Sequence, residues 1–462
     1  MSRTSIAARI ARFAVGFELD SVPPPVVDAA KLHLLDALGV GLAASTVPIS
    51  AGWIEGARRI GGGGGGPSTA FGSAGGLSAT AAALINGALI HSLEYDDTHT
   101  RSVVHGSAVA ASTALAAAEE QGAAGADVLR GYIAAWEIMV RLGLAAPGAY
   151  QANGFQISAV GGALGAAVAA SAIGRLNERQ TLAALGIAGS QASGLMEFLA
   201  DGSTVKALHP GWAAHTGVAA CALAEAGMTG PASIVEGRFG FLNAFARDTE
   251  AAGRLDTLLD DLGGVWHLPD AAFKLYPCCH YIHPFLEAMQ SLLDGGVTTD
   301  GIANLVCEVP PPEAPLICEP WARRRKPASG YDGKWGLAYC LAALAIDGRV
   351  NIDTFAGDPD SRIVDLAQRM TWRPMAVHRF PERFEAAIEV TLTDGSTRSA
   401  RVDDVRGTPG RPVSQDAVLA KFRANAARAL SEDAATLVEE SVRAIDRATD
   451  LHSLTMAVRS VS

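Results

Sequence analysis

The most restrictive feature of the sequence is Ile157–Gly174, a run of eighteen residues without a charge. It consists mostly of Ala, Gly and Ser, so its transfer into a bilayer would release little free energy, and we predict a buried core helix instead of a membrane span. Further helices are expected at Asp127–Gly143, Glu178–Gln191 and Ala213–Ala226. Because few charges interrupt these stretches, several helices should be buried on more than one side, in a large bundle or an oligomer.

The composition supports close helix packing in a chain long enough for two domains. The 462 residues include 50 glycines; 49% are hydrophobic and only 6% are aromatic. Small residues in this proportion favour packed helices over a disordered or fibrous chain. The formal net charge of −11, without a long basic block, argues against nucleic acid or an anionic membrane surface as the main partner.

The cysteines and the N-terminus predict a reduced, cytoplasmic protein. Six cysteines in so long a chain, none in a CxxC pair, do not form a dense disulfide framework. The first twenty residues interleave Arg with apolar residues and lack the long apolar run of a signal peptide. Gly61–Gly66 matches GxGxxG, but a helix-like stretch precedes it where a strand would be needed, so we expect a flexible loop and no cofactor.

The pattern changes near Gly264 and changes back near Asp403. Between them prolines cluster, strand-like segments occur at Asn304–Val309 and Ala386–Thr393, and Asp394–Gly395 is typical of a hairpin turn. Helical periodicity returns afterwards. We therefore predict a mainly α protein, with a large all-helical domain built from residues 1–266 and 403–462 and a smaller α+β domain at residues 267–402.

The densest polar cluster is the segment from His91 to His105, directly after an apolar helix. Carboxylates and imidazoles at a helix end destabilise the fold unless they are solvated, mutually paired or used in function. A solvated polar loop is one explanation. A metal site is another, since His91, Glu94, His99 and His105 are ligand types, but their spacing matches no known ligand motif. We therefore predict no metal.

Two further clusters contain candidate anion-binding and nucleophilic groups. Lys206 lies shortly before the predicted helix Ala213–Ala226, and a cation near a helix N-terminus suits an anion, although a solvated lysine is the commoner explanation. The segment Lys274–His283 contains vicinal Cys278 and Cys279 beside two histidines. Covalent cysteine catalysis would need a geometry that the sequence does not establish.

These clusters, taken in order, resemble the MmgE/PrpD family. The matching segments are Asn86–Thr98, His105-Gly-Ser, Lys206 with Gly211, the Lys-x-Tyr-Pro-x-Cys-x-x-x-His pattern of Lys274–His283, and Gly333–Cys340. That family includes 2-methylcitrate dehydratase, cis-aconitate decarboxylase and iminodisuccinate epimerase. The resemblance implies a homodimer, an α+β domain that acts as a lid, and a metal-independent active site between the domains that binds a small anionic carboxylate.

The resemblance also assigns site residues. It implies catalytic positions for Asp97, Thr98, His105, Lys206, Lys274 and Tyr339, the two lysines holding the substrate anion and Tyr339 lying in the lid. His105 suits a base or acid because its ordinary pKa lies near neutrality, Asp97 would orient a neighbour, and Thr98 would donate to a substrate oxygen. Substrate-binding positions are expected for His91, Glu94, Gln156, Cys279, His280 and His283.

One position departs from the family pattern. Dehydratase and decarboxylase members commonly have His where this chain has Gln156, and an amide cannot act as a general acid or base at neutral pH. We expect a hydro-lyase of the 2-methylcitrate dehydratase type that acts by α-proton chemistry. The departure weakens both the dehydratase and the decarboxylase assignments. The alternatives are an epimerase of an iminodisuccinate-like dicarboxylate, a cis-aconitate decarboxylase-like lyase, and a catalytically inactive carboxylate-binding or scaffold protein.

Overall fold

The computed structural model describes residues 4–459, and helices dominate it. In the first part of the chain the helices are α1 Ile6–Gly16, α2 Pro24–Ser45, α3 Pro48–Ile60, α4 Ala79–Ser92, α5 Gly106–Gln121, α6 Gly125–Ala145, α7 Ala149–Ala152, α8 Ile157–Ile173, α9 Glu178–Ser190, α10 Phe198–Asp201, α11 Val205–Glu225 and α12 Ala251–Leu258. A two-stranded ribbon, β1 Ser68–Thr69 with β2 Gly76–Leu77, precedes α4. The predicted mainly α class is confirmed.

The second part of the chain mixes helices with a small sheet. Its elements are α13 His283–Asp294, β3 Ile302–Val309, α14 Ala314–Ile317, α15 Trp321–Arg325, α16 Gly330–Gly333, α17 Leu337–Asp347, α18 Ser361–Ala367, β4 Met370–Pro374, β5 Ala386–Leu392 and β6 Thr397–Val402. Three helices close the chain: α19 Gln415–Ala426, α20 Glu432–Arg443 and α21 His452–Arg459. Short 3₁₀ turns connect several elements, among them Thr100–Ser102, Leu268–Asp270 and His280–Ile282.

The uncharged run forms α8, and every residue of this helix is buried. It packs against α5, α6, α9 and α11. Small residues are needed at these contacts: a Cβ added to Gly217 of α11 would come within 2.3 Å of the Cβ of Ala166. The prediction of a buried core helix is confirmed. No single helix within residues 4–459 is long and apolar enough to cross a membrane. Helices α2 and α3 together reach that length and apolar composition, but they are bent by 101° relative to each other.

Two hydrophobic clusters organise the described part of the chain. The first draws on residues 6–271, on Ile352 and on residues 419–458. The second draws only on residues 278–405. The domain boundaries predicted at residues 266 and 403 stay a prediction, and residues 1–3 and 460–462 of the predicted helical domain lie outside the described residues.

The four-stranded sheet has the order β4-β3-β5-β6. Strand β3 pairs in parallel with β4 and antiparallel with β5, and β5 and β6 form an antiparallel hairpin. Asp394–Gly395 lies in the hairpin turn as predicted, with Gly395 at φ +84. The edge strand β4 was not predicted, because it is short, largely exposed and ends in Pro374.

Two contacts bring the polar clusters of the sequence together. Helices α4 and α11 cross where Gly87 and Gly211 meet, and a Cβ added to Gly211 would lie 2.0 Å from the carbonyl oxygen of Leu84. Thr98, in the loop after α4, forms an antiparallel bridge with Ala272, just before Lys274. The loop from His91 to His105 therefore meets both the start of α11 and the segment before α13.

Candidate active site

The residues of all three polar clusters meet at one cavity. Its lining is Glu94, Thr98, Val103, His105, Gln151, Gln156, Met196, Phe198, Leu199, Lys206, Lys274, Cys279, His280, Tyr281, Leu316, Trp335 and Phe384. Eight of these were named from the sequence: Glu94, Thr98, His105, Gln156, Lys206, Lys274, Cys279 and His280. Aromatic and aliphatic side chains form much of the remaining wall, which keeps the polar groups away from bulk water.

Lys206 and Lys274 converge on the carboxylate of Glu94. The ammonium of Lys206 donates to Glu94 Oε1, and that of Lys274 lies 3.6 Å from Glu94 Oε2 and donates to the Glu94 carbonyl oxygen at 3.2 Å. Burial raises the pKa of Glu94, but the two ammonium groups outweigh burial and lower it to about 2. Two cations facing one carboxylate leave a positive balance that suits an added anion.

The local backbone explains how Glu94 reaches both lysines. Glu94 adopts φ +54, a left-handed conformation that is uncommon for a residue other than glycine, where α4 ends and the loop begins. Lys206 lies in the first turn of α11, which begins at Val205. The prediction that Lys206 precedes a helix beginning at Ala213 is wrong, because α11 continues through Pro210.

His105 directly precedes the first residue of α5, and its ring is held through one nitrogen. Its Nδ1 lies 3.0 Å from the Asp97 carbonyl oxygen and 3.0 Å from Thr98 Oγ1, and its backbone N–H donates to Ser158 Oγ at 2.8 Å. A carbonyl oxygen only accepts, so Nδ1 carries the proton and Nε2 is the nitrogen with a free lone pair. Burial lowers the pKa of His105 to about 3, which makes the ring neutral near pH 7.

Behind His105 lies a second, fully buried histidine. His91 Nδ1 contacts Asp96 Oδ2 at 2.8 Å, and its ring centroid is 4.9 Å from that of His105. Burial raises the pKa of Asp96, but His91 and His105 outweigh burial and keep that pKa well below its usual range. His91 Nε2 contacts Gln156 Nε2 at 3.0 Å, and Gln156 Oε1 contacts His209 Nδ1 at 2.6 Å. His91 does not line the cavity, whereas Gln156 does.

Asp97 is directed into the helical core, while its neighbour Thr98 lines the cavity. The Asp97 carboxylate accepts from the backbone N–H and hydroxyl of Ser107 and lies 2.8 Å from His33 Nδ1. The backbone carbonyl of Asp97 contacts His105, as described above. Asp97 therefore positions the loop that carries His105 and does not itself face the cavity.

The segment Lys274–His283 contributes groups of different kinds. Burial raises the pKa of Cys279 to about 12, so a thiol and not a thiolate lines the cavity. His280 also lines the cavity, and both of its ring nitrogens are buried without a hydrogen-bond partner. His283 lies behind it, with Nε2 3.4 Å from the Cys278 carbonyl oxygen. Tyr339 packs on Phe355 and does not line the cavity.

Some groups at the site were not assigned from the sequence. Asp96 and His209 are within the polar clusters, but neither was assigned a role. Lys334, in the segment Gly333–Cys340, donates to the carbonyl oxygens of Leu93 and Pro277 at 2.8 and 2.9 Å. It therefore links the loop after α4 to the segment that precedes α13. Burial lowers the pKa of Lys334 to about 8.

Two groups of side chains within residues 4–459 lie close enough to hold a metal ion: His91, Asp96 and His105, and His99, His267 and Asp270. In each group the potential ligand atoms lie within 4.8 Å of one another. In the first group the Nδ1 atoms already contact Asp96 Oδ2 and the Asp97 carbonyl oxygen, so hydrogen bonds alone account for the arrangement. The absence of a metal stays a prediction.

Two family profiles match the chain. The profile of the MmgE/PrpD N-terminal domain matches residues 8–253, and that of the MmgE/PrpD C-terminal domain matches residues 276–447. Together these matches cover most of both hydrophobic clusters and every cavity-lining residue except Lys274.

Curated relatives match the chain over nearly its whole length. A cis-aconitate decarboxylase of Aspergillus terreus (strain NIH 2624 / FGSC A1156) is 27% identical over 476 residues, covering 98% of this chain and 96% of the relative. The cis-aconitate decarboxylase of Homo sapiens is 28% identical over 484 residues, covering 100% of this chain and 96% of the relative. That of Mus musculus is 27% identical over 480 residues, covering 99% and 94%.

Proposed function

Because the chain belongs to the MmgE/PrpD family, we propose that it is a lyase for a small di- or tricarboxylate that moves a proton at the carbon next to a carboxylate. The observation that supports this most is the state of His105. A neutral imidazole with a free Nε2 lines a cavity that also contains the ammonium groups of Lys206 and Lys274. A base and two cations are what abstraction of such a proton requires.

The lysines bind and polarise the substrate. A substrate carboxylate joins or replaces Glu94 beside Lys206 and Lys274, and the hydroxyl of Thr98 hydrogen-bonds a substrate oxygen. When the neighbouring C–H bond breaks, its electron pair moves onto that carboxylate and doubles its negative charge. Ammonium groups fixed in a dry cavity stabilise this charge far better than water does, because they need no reorganisation.

His105 then completes a dehydration. Its Nε2 takes the α-proton, and Nδ1–H remains bonded to the Asp97 carbonyl oxygen. The electron pair returns from the carboxylate to form the C=C bond, and the C–O bond at the β-carbon breaks. The imidazolium of His105 gives its proton to the leaving oxygen, so the products are an alkene and water. Our first candidate is therefore a hydro-lyase of the 2-methylcitrate dehydratase type.

The relatives favour a second candidate, decarboxylation of a cis-aconitate-like triacid. In that reaction an alkene carbon gains a proton while the bond to a carboxylate breaks and CO₂ leaves. The acid must be charged at the start, so the pKa of His105 would have to rise from about 3 when the polyanion binds. Dehydration needs no such rise, because it begins with neutral His105.

One experiment separates these reactions. Purified protein is mixed with 2-methylcitrate, citrate or cis-aconitate in D₂O, and ¹H NMR and released CO₂ are followed beside a His105→Gln variant. Formation of an alkene from 2-methylcitrate or citrate without release of CO₂ supports the dehydratase, provided that the His105→Gln variant forms no alkene. Release of CO₂ from cis-aconitate supports the decarboxylase. Deuterium incorporation without an alkene supports an epimerase. No turnover and no exchange with any polycarboxylate contradicts the proposed function.

We also propose that the protein is a homodimer. Leu195, Val205, Leu208 and Trp212 are all large, exposed apolar residues, and together they line one groove on the surface. Exposed apolar groups concentrated in one place are typical of an interaction surface. Light scattering coupled to size-exclusion chromatography tests this: a mass of one chain at micromolar concentration contradicts it, and Leu208→Glu should convert a dimer to monomers.

A further inference from the structure

Gln156 lies in the middle of a hydrogen-bonded line of four side chains. Asp96 Oδ2 and His91 Nδ1 are 2.8 Å apart, His91 Nε2 and Gln156 Nε2 are 3.0 Å apart, and Gln156 Oε1 and His209 Nδ1 are 2.6 Å apart. All four side chains are buried. The backbone of Gln156 is fixed as well: its N–H donates to the Gly194 carbonyl oxygen at 3.1 Å, and its own carbonyl accepts from the first turn of α8.

The chemistry of these groups sets where each proton lies. The Asp96 carboxylate accepts, so His91 Nδ1 carries a proton and donates it. His91 Nε2 is then an acceptor for the amide N–H of Gln156. The amide oxygen of Gln156 accepts the Nδ1–H of His209. Both polar atoms of the Gln156 side chain are therefore engaged by histidines, and the amide nitrogen keeps one further N–H.

The two ends of the line lie in different surroundings. At one end Asp96 Oδ2 lies 4.0 Å from Nδ1 of the proposed base, His105, and the ring of His91 is 4.9 Å from the ring of His105. At the other end His209 lines the same surface groove as Leu208 and Trp212. Ionisable side chains joined by hydrogen bonds can pass protons from one to the next, and this line leads from the cavity to the groove that faces the partner subunit in the proposed homodimer. Gln156 is the one member of this line whose side chain carries no ionisable group.

We propose that Gln156 is a positioning residue that fixes His91 as an acceptor at Nε2 and interrupts proton transfer between the cavity and the outer groove. The proton that His105 removes from substrate then goes to the leaving oxygen and does not escape along the line. The second half of this inference rests on the proposed function. The first half concerns only the protonation of His91.

The protonation of His91 is tested without an activity assay, by ¹⁵N NMR of protein labelled in its imidazole rings. The variant His91→Gln assigns the signals. His91 should show a pyrrole-type Nδ1 and a pyridine-type Nε2. In Gln156→Glu, the new carboxylate faces His91 Nε2, and because imidazole is more basic than carboxylate, Nε2 should become protonated near neutral pH. The groups that surround His91, namely Glu94, Asp96, His105 and His209, are unchanged in this comparison.

The matched control is Gln151→Glu, which adds the same charge at another glutamine of the cavity lining. It should leave the His91 signals as in the wild type. The inference is overturned by a wild-type His91 that is protonated at Nε2, or by a Gln156→Glu protein with unchanged His91 signals. Gln156→Met, which removes both hydrogen bonds without adding charge, should release His91 into a mixture of tautomers and lower the melting temperature.

The second half is tested with Gln156→His, since an imidazole at this position can accept from one neighbour and donate to the other. During turnover in D₂O, the ratio of deuterium in recovered substrate to product formed should rise several-fold over the wild type. An unchanged ratio in a folded, active variant overturns the interruption. If no polycarboxylate reacts, the proposed function fails, and the NMR result still decides whether Gln156 fixes His91.

Discussion

At the scale of single residues, the proposed anion site depends on three charged side chains. Lys206 and Lys274 hold Glu94, whose pKa the two ammonium groups lower to about 2. A substrate carboxylate must share these ammonium groups with Glu94 or replace it. The charge of each of these three side chains should therefore affect affinity directly.

Lys206→Ala should weaken substrate binding more than Lys206→Arg. Alanine removes a charged hydrogen bond worth about 1.5–3 kcal/mol, or roughly 10- to 100-fold in affinity, whereas arginine keeps the charge. Isothermal titration calorimetry measures this, with the polycarboxylate that reacts in the NMR experiment or with a non-reacting dicarboxylate. Equal affinity for the two variants would argue against an anion-binding role for Lys206.

Glu94→Gln should bind anions more tightly than the wild type. The neutral amide leaves two buried ammonium groups without a carboxylate, so inorganic sulfate or a dicarboxylate should bind about tenfold better, and stability without an added anion should fall. Differential scanning fluorimetry with and without sulfate measures both effects. Glu308→Gln is the control, because Glu308 pairs with Arg373 on the surface, far from the cavity lining. Anion affinity unchanged from wild type would refute the assigned role of Glu94.

The sequence was informative about which residues meet at the cavity and less informative about how they are bonded. Glu94, His105, Lys206 and Lys274 could be named because charged groups are rare in so apolar a chain. The engagement of Gln156 could not be predicted. Its two partners, His91 and His209, lie 65 and 53 residues away in sequence, and only the packing of α4, α8 and α11 brings them together.

At the scale of elements, the close crossing of α4 and α11 places Lys206 beside Glu94. Gly211→Ala should separate these helices, since the new Cβ would overlap the Leu84 carbonyl oxygen, and we expect a loss of about 1–3 kcal/mol of stability together with weaker anion binding. Gly52→Ala is the control: Gly52 lies within α3 with open space around it, and alanine there should stabilise by about 0.5–1 kcal/mol. Urea denaturation measures both, and equal stabilities for the two variants would contradict this packing.

Hydrophobic periodicity and turn residues such as Asp-Gly predicted the helices and strands well where the chain is regular. The predicted helix Asp127–Gly143 lies within α6, and the hairpin at Asp394–Gly395 is present. The start of α11 was misplaced because Pro210 resembles a helix boundary in a sequence. In the structure α11 begins earlier, and Pro210 lies inside it and is buried, so tertiary packing overrides the low helix propensity of proline.

At the scale of the whole molecule, buried neutral histidines should make stability depend on pH. Burial lowers the pKa of His99 and His105 to about 3 and of His209 and His267 to about 4, and lowers those of His280 and His283 further below the ordinary value. In the unfolded chain these groups bind protons below about pH 6.5. Between that pH and the folded pKa values, only the unfolded state gains protons, so acid favours unfolding.

Each such histidine contributes about 1.4 kcal/mol of lost stability per pH unit in that window. Asp36, Glu137 and Glu313 oppose part of the loss, because burial raises their pKa values and the folded state protonates them first. We expect the urea midpoint to fall as the pH drops from 7.5 to 5.5. A midpoint that stays constant or rises over this range would contradict the burial of neutral histidines.

The whole-molecule properties differ in how far the sequence predicts them. A mainly α chain follows from long uncharged runs of small residues. The cavity does not, because it depends on how residues of the first hydrophobic cluster meet those of the second across the bridge between Thr98 and Ala272. No local pattern encodes that contact.

The most direct test of the account is a crystal structure of the protein with a polycarboxylate bound. We predict a carboxylate within hydrogen-bond distance of Lys206 Nζ or Lys274 Nζ, with the adjacent carbon next to His105 Nε2 and Gln156 still bonded to His91 and His209. A ligand bound outside this cavity, or one whose α-carbon lies away from His105, would contradict the account.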